Sequence, residues 1–112
     1  MQRVRRNIEG EVIVKVIRKR PGEAPELIDI PNALEALQKE VGGYIETYTF
    51  AKNACIVCNE EGRLLDLPCC STTLGVEFAG PILVVGVDGE EFCDVPMPFV
   101  TAWFLLREIL EV

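Results

Sequence analysis

The sequence predicts an α+β domain: a mostly antiparallel sheet with one internal helix and an apolar C-terminal helix. Three observations carry this reading. β-Branched runs alternate with a period of two, one capped helix interrupts them early, and the last segment is apolar with helical spacing. The order β-β-α, then a run of strands, then a helix is that of an α+β fold.

Residues 11–18 alternate, with Val12, Val14 and Val16 on one side and Ile13, Lys15 and Ile17 on the other, which is a strand. Arg20-Pro21-Gly22-Glu23-Ala24-Pro25 turns the chain into a second strand over 26–30, making a hairpin. The helix follows. Asn32 is placed to cap it and Glu35 to complete a capping box, Leu34, Leu37 and Val41 form its buried stripe, and Gly42 stops it. Aromatic and β-branched residues over 44–50 predict a strand. Residues 54–58 predict a short apolar strand, and 63–67 its hairpin partner beyond the turn Asn59-Glu60-Glu61-Gly62. After a loose stretch at 68–73 come a weak strand over 74–78 and a strong one over 81–87. The strong strand closes at Asp88-Gly89 into 90–95. Residues 98–112 predict the terminal helix, with Pro98 in its first turn.

At 112 residues the chain fits one domain, with residues 1–10 a flexible basic arm or an extension of the first strand. A hydrophobic content of 49% and a charged content of 26% are those of a folded protein. There is no apolar run of membrane-spanning length and no secretory h-region, so a cytoplasmic protein is expected. The net charge of −7 is unevenly placed. Arg3, Arg5, Arg6, Lys15, Arg18, Lys19 and Arg20 against Glu9 and Glu11 leave residues 1–20 at +5, and the rest at −12. A basic edge on an acidic body follows, too small a basic field to make nucleic acid the expected partner.

The candidate chemistry is thin. Cys55, Cys58, Cys69 and Cys70 offer four sulfurs, but Ile56-Val57 lies inside a strand, so Cys55 and Cys58 point to opposite faces. They read as buried small hydrophobes, and no metal or cofactor is expected. The chain has no histidine, so the commonest general base is missing and an enzyme is not expected. Gly42-Gly43 and Gly86/Gly89 do not sit between a strand and a helix, as a phosphate loop requires.

Two surfaces stand out instead. Glu60, Glu61, Asp88, Glu90 and Glu91 fall in two hairpin turns, which form one anionic, partner-binding rim if they emerge at the same end. The terminal helix is apolar nearly all round. Its Phe99, Trp103, Phe104, Leu106 and Leu110 are therefore expected at a subunit interface, the chain being a homo-oligomer. Burial in the chain's own core is the alternative.

Three blocks carry a resemblance: Leu34-Glu-Ala-Leu-Gln38 leading to Val41-Gly-Gly-Tyr-Ile-Glu46; Cys58-Asn-Glu-Glu-Gly-Arg-Leu-Leu65 with Leu67-Pro68; and Ala79-Gly80 through Val85-Gly-Val-Asp88 to Glu91-Phe92. Their order and spacing over residues 11–95 resemble a family of small bacterial and phage proteins known as a domain of unknown function, frequent on phages, prophages and conjugative elements. The resemblance implies a setting and no catalytic residues. The expectation is a non-catalytic phage or mobile-element protein, counter-defence included, that occupies a host defence protein or its signalling nucleotide. The alternative is an accessory protein of element replication or transfer, touching nucleic acid through its basic N-terminal strand.

Overall fold

Residues 4–73 and 76–110 are described by the computed structural model of the protein, the side chains of 71–73 and 104–110 excepted. The strands are β1 (Arg5–Arg6), β2 (Val12–Lys19), β3 (Glu26–Pro31), β4 (Ile45–Ala51), β5 (Ala54–Asn59), β6 (Cys69–Thr73), β7 (Val76–Ala79), β8 (Ile82–Asp88) and β9 (Glu91–Cys93). The helices are α1 (Leu34–Val41) and α2 (Met97–Leu110). The α+β class and the mostly antiparallel sheet are therefore present, with every strand pair antiparallel. Among the described residues no helix is long and apolar enough to cross a membrane.

The main sheet runs β3-β2-β8-β5-β4, and a small second sheet is the hairpin β6–β7. β5 and β8 are its centre, and their apolar runs are buried on both faces. Because side chains alternate, each central strand feeds two cores. Val14, Val16, Cys55, Val57, Leu83 and Val85 meet Leu37 and Val41 of α1 on one face. Ile17, Ile56, Cys58, Ile82 and Val84 meet Phe78 and Cys70 of the small hairpin on the other, and Phe99, Val100 and Trp103 of α2 pack against them.

β2 and β8 pair only at Ile17–Lys19 and then diverge. β9 folds back into that fork from β8, and β1 folds back beside β2. Among the described residues of this segment, 7–10 turn so that Arg5–Arg6 form a separate short strand beside β2. Asp94 closes the fork: its carboxylate accepts the Lys15 backbone N–H at 2.7 Å and an Arg5 guanidinium N–H at 3.0 Å.

Several local expectations are corrected. The N-cap of α1 is Ala33, with no side-chain cap. Asn32 instead continues the β2–β3 pairing through its N–H to the Val12 carbonyl, and its side-chain amide donates to the Phe92 carbonyl. Leu34 is exposed, while Leu37 and Val41 are buried. Gly42 does end α1 in the left-handed conformation, at φ 81°. Residues 63–67 are not a strand, because both edges of β5 are already taken by β4 and β8. The segment coils instead, through Leu65 N–H to Glu61 C=O and Leu67 N–H to Gly62 C=O. The stretch read as loose contains β6, which pairs with β7; Leu74 lies outside the described residues. The β8–β9 loop is Gly89-Glu90, Asp88 itself pairing with Glu91.

Of the α2 residues expected at a subunit interface, Phe99 and Trp103 are partly buried by the chain itself. Both pack on the chain's own sheet, Phe99 edge-on to Phe50 at 5.3 Å between ring centres. The reason is that α1 covers only one face, and the other needs a lid. The side chains of Phe104, Leu106 and Leu110 lie outside the described residues.

Candidate interaction surface

Arg5, Lys15 and Arg18 of the basic N-terminal segment are neutralised within the fold. Arg5 pairs with Asp29 at 3.1 Å and with Asp94 at 3.0 Å. Arg18 pairs with Glu26 at 2.6 Å and Glu40 at 3.3 Å, and Lys15 with Asp29 at 3.6 Å. The Arg18 hydrogen bond holds the Glu26 carboxyl below its ordinary range. Lys19 is buried, its ammonium donating to the Arg20 carbonyl at 3.0 Å. A strand that reads as a basic edge in sequence is therefore mostly an internal ion-pair ladder, because β3 and α1 bring their carboxylates across it.

The two acidic turns do not form one rim. β5 and β8 are antiparallel, with Ala54 opposite Gly86 and Val57 opposite Leu83. Glu60 and Glu61 leave the end of β5 near the start of β8, whereas Asp88, Glu90 and Glu91 lie at the far end. At about 3.3 Å per residue the turns are on the order of 25 Å apart along the strands. That is about three screening lengths at physiological salt, so the turns act as separate fields.

Each turn joins different neighbours. Glu90 and Glu91 line a shallow depression with Arg6, Asn32, Leu34 and Phe92, where a cation offsets them. Glu60 lines a cleft of about 230 Å³ between β4 and the β6–β7 hairpin, with Glu46, Tyr48, Arg63, Leu64 and Glu77. Three carboxylates there face one cation, and the Arg63 guanidinium donates to the Glu77 backbone carbonyl rather than to a carboxylate. Tyr48 stands edge-on to Phe78 at 5.8 Å, which fixes the wall of the cleft. Leu64 and Tyr44 are exposed, at 86% and 68%.

Glu46 and Glu77 were not among the residues expected from sequence. The alternation of Glu46 with Tyr48 in β4 was visible, but the hairpin that sets Glu77 opposite them was not. A second wall reaches the cleft only through pairing between β6 and β7, which local patterning does not encode.

The cysteines separate as their spacing predicts. Cys55 belongs to the core under α1 and Cys58 to the core under α2. Burial pushes the Cys55 thiol up to about 11 and raises Cys58 as well, with the Glu46 charge adding to the latter. Neither is a thiolate near neutral pH, the form in which a cysteine acts as a nucleophile. Cys70 is buried with its Sγ donating to the Lys19 carbonyl, and Cys69 is exposed.

No curated protein and no solved structure matches the chain. A family model does match, over residues 14–104, and it is described as a domain of unknown function, DUF3846.

Proposed function

The chain belongs to the domain-of-unknown-function family DUF3846, and from that premise we propose that it is a non-catalytic binding protein of a phage or mobile element, in a setting that includes counter-defence. It acts by occupying a host protein. The observation that carries the reading is the segregation of charge. Arg5 of β1 is tied up by Asp29 and Asp94, and Lys15 and Arg18 of β2 by Asp29, Glu26 and Glu40, while Glu46, Glu60 and Glu77 stand together around an open cleft. Uncompensated carboxylates cost self-repulsion and add nothing to folding, but they steer a basic partner.

The same charge argues against the other targets. A signalling nucleotide or a nucleic-acid backbone brings phosphate, which this cleft repels, and Arg5 and Arg18 are already paired with carboxylates.

The test is capture from host lysate with the tagged full chain. Replacing Glu46, Glu60 and Glu77 with Gln should abolish capture of a partner that the unmodified protein retains. Replacing Asp88 with Asn and Glu90 and Glu91 with Gln should leave that capture within about twofold, since that field is on the order of three screening lengths away. Equal retention by the two triple variants would contradict the proposal.

A further inference from the structure

We propose that the free edge of β4 is a strand-addition site for an extended, basic segment of a protein partner. This rests on the binding reading above and specifies how the partner is held.

The backbone geometry identifies the docking groups. The Glu60 N–H donates to the Tyr44 carbonyl at 2.9 Å, and the β4–β5 register pairs Glu46 with Cys58 and Tyr48 with Ile56. In an antiparallel ladder hydrogen-bonded and non-hydrogen-bonded pairs alternate. The pairs 44/60, 46/58 and 48/56 are therefore the bonded ones, and the N–H and C=O of Ile45, Thr47 and Thr49 point away from β5. β4 is the last strand of the sheet. Among the described residues nothing hydrogen-bonds to those outward groups.

Edges of this kind are normally blunted by proline, lysine or a bulge. The opposite edge, β3, follows the rule: it ends in Pro31, and its Glu26 and Asp29 are drawn into ion pairs with Arg18, Arg5 and Lys15. β4 contains neither proline nor lysine, and its register is unbroken from Ile45 to Thr49, the bulge coming only before Ala51. An added strand would find three outward residues in regular spacing.

Charge selects the occupant. Side chains of Glu46 and Tyr48 lie on the face of the β6–β7 hairpin, where Glu60 and Glu77 complete the cleft. A strand laid beside β4 turns every second side chain toward that face. Lys or Arg at those positions meets carboxylates, with Tyr48 available for a cation over its ring. The intervening side chains fall on the face of Ile45, Thr47 and Thr49, where small β-branched residues fit. A second copy of β4 fits poorly, because it carries Glu46 and no cation and would set two acidic clefts together.

The probe is a capped eight-residue peptide of alternating Lys and Val, followed by fluorescence anisotropy at low and at 0.5 M salt. Its control carries N-methyl groups on alternate residues, which removes the N–H groups of one edge and keeps every charge; both placements are made. The expected result is salt-sensitive binding to the full chain, lost at least tenfold with one N-methylated placement. Thr47→Pro should weaken binding at least tenfold without loss of the folded circular dichroism, since the Thr47 N–H is not part of the β4–β5 ladder. Glu46→Gln with Glu77→Gln should weaken binding and flatten its salt dependence. Equal binding of the parent and both methylated peptides overturns the proposal, because it shows adsorption by charge alone. So does sedimentation showing a dimer that Thr47→Pro dissociates, with no peptide bound, because a second copy then holds the edge. Lysate capture that persists in Thr47→Pro sinks the edge and leaves the binding reading standing. Failure of the Glu46, Glu60 and Glu77 variant to lose its partner sinks that reading instead.

Discussion

Replacing Gly86 with Ala is expected to cost about 3 kcal/mol of folding stability, at the upper end for overpacking a tight interior site. A Cβ at this position would lie 2.1 Å from the Asp94 carbonyl oxygen and 2.8 Å from the Cys93 Sγ. Neither neighbour can yield cheaply. The oxygen is backbone, and moving it displaces the Asp94 side chain that holds the Lys15 N–H and Arg5 in the fork between β2 and β8. Gly89→Ala is the informative comparison. Its φ of 65° makes Ala unfavourable by about 1–2 kcal/mol, yet nothing lies within 4 Å of the new methyl. Thermal unfolding should therefore show Gly86→Ala well below Gly89→Ala. Equal midpoints would mean that β9 does not press against β8 as described.

Ile56→Ala should be about as damaging, at roughly 2–5 kcal/mol for a large-to-small change in a packed core. Ile56 is fully buried at the middle of β5, between β4 and β8 in the plane and beneath the α2 layer. The strands on both sides and the layer above leave little room to collapse into the space. Leu34→Ala is the contrast, because Leu34 is 57% exposed and should change stability by a few tenths of a kcal/mol. Urea unfolding with unchanged slope for both variants would assign the difference to the folded state. A Leu34 effect equal to that of Ile56 would restore the helix stripe that the sequence suggested and the structure does not show.

These contrasts mark what local patterning could and could not reveal. The near-continuous apolar runs left by burial on both faces found β5 and β8, and period-two alternation found β2. It also placed Cys55 and Cys58 on opposite faces, which geometry alone dictates. The cap at Asn32 was misread because its side chain is engaged by β9, 60 residues away in sequence. The 63–67 segment was misread for a related reason: it has strand-like residues, but both edges of β5, its expected partner, are taken by β4 and β8. That Phe99 and Trp103 also pack on the chain's own sheet was not legible, because sequence does not show which sheet face lacks a cover. The acidic cleft was half visible. Glu60 was singled out by its turn, whereas Glu46 and Glu77 join it only through the register of β4 with β5 and the placement of the small hairpin.

Amide hydrogen exchange along β4, measured with and without the alternating Lys-Val peptide, tests the central claim most directly. In the free protein the amides of Glu46 and Tyr48 should be protected by β5, and those of Ile45, Thr47 and Thr49 should exchange quickly. With the peptide bound, the three outward amides should become protected while the inward pair changes little. Protection appearing along β3 instead, or no change at Thr47 and Thr49 under saturating peptide, would contradict the claim that this edge receives the partner.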